Sequence, residues 1–202
     1  MQEKILKKII PQFAGQDSEK LVDLLHEKQN VNEFLIAKKM NLTINQTRNM
    51  LYKLADAGLI EFIRKKDKKK GGWYTYFWTL KTKRVLQKYQ EDLQNEMNNL
   101  RKELEKRKNE RFYYSPSIEV EYTEEEAILN DFTCPETGEV LEIREPTQLI
   151  NKLKSEISKI ETNLAQVNKE LVEIEKKEQQ SIGRKLKAEQ KKLDSLILEI
   201  QV

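Results

Sequence analysis

Residues 59–80, Leu59-Ile-Glu-Phe-Ile-Arg-Lys-Lys-Asp-Lys-Lys-Lys-Gly-Gly-Trp-Tyr-Thr-Tyr-Phe-Trp-Thr-Leu80, decide how the N-terminal part of this chain folds. Leu59 to Ile63 is apolar and β-prone, Arg64 to Gly72 is a lysine-rich stretch ended by glycines, and Trp73 to Leu80 is aromatic with Thr75 and Thr79 interleaved. Two β-prone runs around such a stretch read as a hairpin with a basic loop. Upstream the pattern is helical. Ile5, Leu6, Ile9 and Ile10 share one face that Pro11 is expected to end. Asp17 or Ser18 is placed to cap a second helix, with Leu21, Val22, Leu24 and Leu25 inward. Asn32 is placed to cap a short helix carrying Phe34, Leu35, Ala37 and Met40. Thr43 caps a longer one that buries Thr47, Met50, Leu51 and Leu54 and stops at Gly58, a glycine suited to the left-handed position past a helix end. Helices followed by a two-stranded basic hairpin make a winged helix-turn-helix.

Downstream, Lys81 to Glu110 lacks glycine and proline, and Val85 or Leu86, Tyr89, Leu93, Met97, Leu100 and Leu104 recur every three or four residues. That is one long helix with a stripe narrow enough for a coiled-coil seam. Phe112–Tyr114, Glu119–Tyr122 and Glu139–Arg144 read as short strands. Thr123 with Glu126 forms a capping box before a helix over Glu124–Leu129. After Pro146, Ile150, Leu153, Ile157, Ile160, Leu164, Val167, Leu171 and Ile174 keep an unbroken three-four alternation that lapses at Glu178–Ser181. Two antiparallel helices turning near Gln180–Gly183 would bury both stripes within one chain. A single helix that dimerises is the competing arrangement.

Composition limits what such a chain can do. In 202 residues only 38% are hydrophobic against 35% charged, so part of the chain is extended helix with solvated faces. A net charge of +3 excludes a bulk nucleic-acid neutraliser and leaves contact to a local patch. Cys134 is the sole cysteine, which rules out an internal disulfide and fits a reducing compartment. The first ten residues mix lysine with apolar side chains and lack a cleavage signal. No run approaches the roughly 20 apolar residues that span a bilayer. These features point to a cytoplasmic protein with no membrane partner.

The candidate binding residues follow from the hairpin. Arg64, Lys65, Lys66, Lys68, Lys69 and Lys70 form a basic tip able to meet phosphates, although a solvated loop kept soluble by lysine would look the same. Trp73, Tyr74, Tyr76, Phe77 and Trp78 crowd one strand, and a two-layer domain buries only alternate members. The outward rings suit a protein interface or a platform for unpaired bases, in particular Trp73, Tyr74 and Tyr76. Arg48 and Lys53 are the basic residues on the helix that would read duplex DNA, alongside Asn45, Gln46 and Asn49. No catalytic constellation stands out. His26 has no cysteine or serine partner nearby, Gly71–Gly72 is a hairpin end, and Glu124–Glu126 is the acidic first turn of a helix.

The order of these pieces resembles archaeal transcription factor E, counterpart of the TFIIE alpha subunit. The resemblance runs over about residues 1–144. It rests on the strand Trp73–Leu80, the block Arg111-Phe-Tyr-Tyr-Ser-Pro116, and the segments Tyr122-Thr-Glu-Glu-Glu-Ala127 and Asp131-Phe-Thr-Cys-Pro-Glu136. It implies a non-enzymatic initiation factor that binds RNA polymerase on its clamp and stalk, near promoter DNA and its non-template strand, and steadies the open complex by shifting a population. It also implies a zinc ribbon whose two Cys-x-x-Cys pairs fall here on Ser115 and Ile118, and on Cys134 and Thr137. Only Cys134 keeps a thiol, so the ribbon is expected to be metal-free and the chain to need no cofactor. Phe112, Tyr114, Ile118, Val120, Tyr122, Ile128, Leu129, Phe132, Val140 and Ile143 are its expected substitute core.

The fold expectation is therefore mainly α with small β. It comprises a winged helix-turn-helix (1–80), a long connecting helix (81–110), a metal-free ribbon-like β element (111–145) and a coiled-coil helical hairpin (146–202), which lies outside the family core. Two rivals remain: a dimeric winged-helix DNA-binding regulator that reads duplex DNA through Arg48, and an adaptor whose coiled coil finds a partner or self-associates.

Overall fold

The computed structural model describes residues 2–66, 72 and 74–200, with the side chains of 193–200 excepted. The chain is mainly helical with small antiparallel sheets. Among the described residues no helix is long and apolar enough to cross a membrane. Two compact units are present, one formed by residues 1–90 and 167–202, the other by 91–166.

In the first unit, α2 (Glu19–Leu25), α3 (Glu33–Met40) and α4 (Ile44–Asp56) pack on a three-stranded sheet of order β1-β3-β2, and α1 (Gln2–Ala14) packs on α2 and α4. Its strands are β1 (Val31–Asn32), β2 (Ile60–Lys66) and β3 (Tyr74–Leu80). Caps set the helix starts. The Asn32 side chain accepts from the Phe34 amide, and Thr43 with Gln46 closes a full capping box. Gly58 stands at φ 70° just past α4 and lets the chain turn into β2.

Several expectations need correcting. Helix α1 runs through Pro11 to Ala14. The proline loses one hydrogen bond, but Ala14 beyond it is buried with Leu6, Ile9 and Ile10, and that packing keeps the last turn helical. Ser18 does not cap α2, because its hydroxyl donates to the carbonyl of Gly15. Helix α3 buries Glu33, Ile36, Ala37 and Met40, and leaves Phe34 and Leu35 exposed. Its inner face therefore starts one residue earlier than the apolar residues suggest, with a carboxylate as its first member. Strand β1 was not anticipated from its two residues.

Helix α5 (Thr82–Asn109) buries Val85, Leu86 and Tyr89 in this unit, and Lys8 Nζ lies 3.2 Å from the Tyr89 hydroxyl. Helix α7 (Thr147–Ile200) is a single helix of 54 residues. The expected hairpin turn near Gln180–Gly183 does not form. The segment Glu178–Ser181 interrupts the apolar stripe but contains no helix breaker. The stripe also needs no second strand from its own segment, since α5 covers it. In the first unit Gln90 bonds Asn168, and Lys83 pairs with Glu175 and Glu178. In the second unit Leu104 clusters with Leu153 and Ile157, while Arg101 pairs with Glu161. Beyond Ile174 the cover ends, and Ile182 and Leu186 are exposed.

The second unit also holds β4 (Phe112–Tyr114), β5 (Glu121–Thr123), α6 (Glu124–Leu129) and β6 (Glu142–Ile143), with strand order β5-β4-β6. Thr123 and Glu126 form the expected capping box. The core differs from the expected one. Tyr113, Ala127, Cys134 and Leu141 are buried, with Ile118 and Tyr122 packed against them. Val120, Ile128, Leu129, Phe132, Val140 and Ile143 are exposed. In strands this short a one-residue choice of face exchanges inside for outside, and Leu141 rather than its neighbour Val140 points inward.

Candidate nucleic-acid and protein interface

The hairpin β2–β3 presents two faces that its register fixes. Ile60, Phe62, Arg64 and Lys66 lie opposite Leu80, Trp78, Tyr76 and Tyr74, so these eight side chains share one face. Near the sheet base Trp78 is fully buried, and Leu80 and Ile60 are buried beside it. Towards the tip the same face opens. Phe62 is 43% exposed and Tyr74 46%, so neither is closed off from solvent. A ladder of rings connects inside to outside: Trp78 to Phe62 at 5.0 Å, Phe62 to Tyr76 at 5.3 Å, and Tyr52 of α4 to Trp78 at 5.7 Å. Such a rigid stack offers aromatic area at little entropic cost.

Cations sit on the rings. The Arg64 guanidinium lies 5.1 Å from the Tyr74 ring centre and Lys65 Nζ 5.2 Å from that of Phe77. Arg64, Lys65 and Lys66 are all exposed. The structure thus brings Arg64, Lys65, Lys66, Tyr74 and Tyr76 together. The other expected members, Lys68, Lys69, Lys70 and Trp73, lie outside the described residues. Lys53 is exposed on α4.

Arg48 points elsewhere. Its Nε and Nη2 donate to the two carboxylate oxygens of Glu33 at 2.8 and 2.7 Å, and its guanidinium lies 5.5 Å from the Tyr76 ring centre. Glu33 is wholly buried. The Glu33 hydrogen bonds raise the Arg48 pKa further, so this cation is permanent. Sequence reasoning missed Glu33, a charged residue at the first position of a short apolar helix. The signal available was the i, i+3, i+4, i+7 spacing it shares with Ile36, Ala37 and Met40.

The four positions matching the ribbon's metal ligands lie in two turns of the same construction. In the first, the Glu119 amide donates to the Ser115 carbonyl and the Ser115 amide to that of Val120. In the second, the Gly138 amide donates to the Cys134 carbonyl and the Cys134 amide to that of Glu139. Each turn has proline in second place, and each has its fifth residue left-handed, Glu119 at φ 54° and Gly138 at φ 73°. The donors do not fit a structural metal. Ile118 offers none and packs in the core, while Ser115 and Thr137 carry neutral hydroxyls. Only Cys134 can supply a thiolate. Its pKa is lowered to about 6 by hydrogen bonds from Thr137 and Tyr122, against the cost of burial. The Tyr122 hydroxyl lies 3.4 Å from Cys134 Sγ.

The same unit carries a second surface. Residues 111–145 hold ten acidic residues against two basic ones, Arg111 and Arg144. Around the C-terminal end of α6, Leu129 is 83% exposed and Val140 72%, with Ile128 and Phe132 also open to solvent. The charge bias was legible in the sequence as a count; the exposed side chains were not. A cleft of about 880 Å³, lined by Arg107, Phe112, Glu121, Arg144 and Lys152 among others, holds ion-paired arginines.

Comparison with known proteins places this architecture. A sequence profile of the TFIIE alpha subunit matches residues 4–109. Transcription factor E of Metallosphaera sedula is 30% identical over 168 residues, 83% of this chain and 95% of that protein. Transcription factor E of Methanobrevibacter smithii is 35% identical over 67% of this chain and 78% of its own, and that of Methanocaldococcus jannaschii is 33% identical over 71% and 83%. An aligned stretch of 168 residues in a chain of 202 must extend to residue 168 or beyond. The likeness to the Metallosphaera sedula protein therefore reaches into α7.

Proposed function

Because the chain belongs to the TFIIE alpha subunit family, we propose that it acts as a general transcription initiation factor that docks on RNA polymerase beside promoter DNA and steadies the opened bubble. Members of this family are non-enzymatic transcription factors. Residues 1–80 serve as a winged-helix docking module with β2–β3 as its wing, and 81–110 as the connecting helix. Residues 111–145 serve as a ribbon-like second contact, and 146–202 as a helical extension.

The observation that carries this reading is the open end of the hairpin, where exposed Phe62 and Tyr74 share a face with Arg64 and Lys66, and Lys65 lies on the other face. Rings of this kind stack on unpaired bases or fill pockets on a protein, and mobile cations beside them meet phosphates. In the proposed complex Arg64, Lys65, Lys66, Lys68, Lys69 and Lys70, with Trp73, Tyr74 and Tyr76, face the polymerase clamp and the non-template strand. Lys53 adds charge nearby. Arg48, held inward by Glu33, positions the wing through Tyr76 and is poorly placed to read bases, which weakens the case for a dimeric sequence-specific regulator. The acidic bias of residues 111–145 disfavours nucleic acid there, and exposed Leu129 and Val140 suit a protein surface near the polymerase stalk. The exposed apolar residues of α7 past Ile174 leave room for a helical partner or self-association.

The test is retention of purified archaeal RNA polymerase on the immobilised full-length protein, with and without a promoter carrying a pre-melted bubble. Retention that strengthens with the bubble and weakens in Tyr74→Ala supports the reading. A specific duplex footprint without polymerase, together with no polymerase retention, overturns it in favour of the regulator.

A further inference from the structure

The second unit keeps the paired turns of a four-thiolate ribbon without the donors that a metal needs. A metal in such a site is a cross-link, fixing the two turns by bonds to both. Ser115 is fully buried in the first turn, and its hydroxyl donates to the Glu139 carboxylate at the end of the second. The same carboxylate accepts from the Ser117 amide at 3.1 Å and the Ser117 hydroxyl at 2.7 Å. Three donors of one turn thus converge on a single oxygen, Oε1, supplied by the other. The Glu139 backbone is held in turn, since its carbonyl accepts from the Cys134 amide at 2.8 Å.

We infer that Glu139 has taken over the cross-linking part that a structural metal plays in a ribbon of this kind, tying the Ser115–Val120 turn to the Cys134–Glu139 turn through a hydrogen-bonded carboxylate. Charge-assisted hydrogen bonds are roughly twice as strong as neutral ones, and several on one anion give both energy and direction. The substitutions are mutually consistent. Ser115 donates to the carboxylate, and Ile118 fills the core beside Cys134. This inference concerns the fold of residues 111–145 and stands whether or not the chain binds polymerase.

The test uses the full chain. Thermal unfolding with excess EDTA and with added zinc chloride should give the same midpoint, and mass spectrometry of the native protein should show no bound metal. Glu139→Ala should lower the midpoint by at least about 3 °C. It should also accelerate hydrogen exchange of the Ser117 amide by roughly tenfold or more, while amides in α1 keep their protection. Ser115→Cys with Ile118→Cys and Thr137→Cys should create a zinc-binding version in which Glu139→Ala no longer matters. If the wild-type protein carries one zinc per chain, or if Glu139→Ala leaves both midpoint and Ser117 exchange unchanged, the inference is wrong. If the three-cysteine variant does not fold, the wild-type and Glu139→Ala results decide alone.

Discussion

Arg48 grips both carboxylate oxygens of Glu33, at 2.8 and 2.7 Å, across the junction of α4 and α3. Glu33 has no solvent of its own, so the pair must be made or broken as a unit. A helix that could have offered its arginine to bases turns it inward, over the ring of Tyr76 in the β2–β3 hairpin. The ion pair therefore links the helical layer to the orientation of the hairpin, and reading DNA sequence through Arg48 would require dismantling it.

Arg48→Ala should accordingly act first on stability. It strands a buried carboxylate, which costs about 3–5 kcal/mol. Replacing both members, as in Glu33→Leu with Arg48→Met, should recover most of that loss, since buried pairs are often matched by apolar packing. Urea denaturation measures both. A loss below about 1 kcal/mol in Arg48→Ala, too small for a broken buried pair, would show the pair to be dispensable.

Tyr74→Ala and Phe62→Ala should separate binding from folding. Tyr74 is half open to solvent, so its removal should change stability by no more than about 0.5 kcal/mol. If it is an anchor at the polymerase surface, the dissociation constant should rise about tenfold or more. Phe62 touches buried Trp78, so Phe62→Ala should weaken both properties. Fluorescence anisotropy with labelled protein reads the binding, and equal weakening of folding and binding in Tyr74→Ala would contradict the assignment.

Much of this architecture was legible in the sequence because it rests on local chemistry. Asn32, Thr43 and Thr123 cap helices, Gly58 takes a left-handed turn, and the alternation in Trp73–Leu80 requires outward rings. The rest depended on distant packing. Nothing local distinguishes Val140 from Leu141 as the inward residue, since the choice belongs to the pairing of Thr133 with Val140 across the ribbon. The single helix α7 was hidden for the same reason: its stripe is covered by α5, far earlier in the chain, as where Leu104 meets Leu153 and Ile157. Glu33 and Glu139 escaped notice because an isolated glutamate in a charged sequence carries no mark of burial or of converging donors.

Acid should loosen the second unit before its core residues are touched. Glu139 and Glu126 both have pKa values below their ordinary 4.5, Glu139 through Ser115 and Ser117, and Glu126 through its cap bonds to Thr123. A depressed carboxylate contributes stability that is fully present above its unfolded pKa and is lost as pH falls through the lower folded value. The stability of the unit should therefore be level down to about pH 5 and decline below about pH 4.5. Glu139→Gln should remove part of that decline. Urea midpoints taken from pH 7 to pH 3 read the effect, and an unchanged slope in Glu139→Gln would mean that other carboxylates carry it.

Gly183 offers a test by sign. In a hairpin turn a glycine is usually there for a left-handed backbone, and alanine would be strained. In α7 the chain passes through Gly183 as helix, and a Cβ added there meets no atom within 4 Å. Gly183→Ala should then stabilise by about 0.5–1 kcal/mol, because alanine gives up less backbone freedom on entering a helix. Circular dichroism should show equal or greater helicity, with a raised thermal midpoint if this stretch unfolds together with the rest. Leu171→Ala supplies the contrast: it lies in the covered half, where truncation should cost about 2–5 kcal/mol, whereas Leu186→Ala in the exposed half should stay within about 0.5 kcal/mol. A destabilising Gly183→Ala, with Leu186→Ala as costly as Leu171→Ala, would mean that the distal stripe folds back on the chain after all.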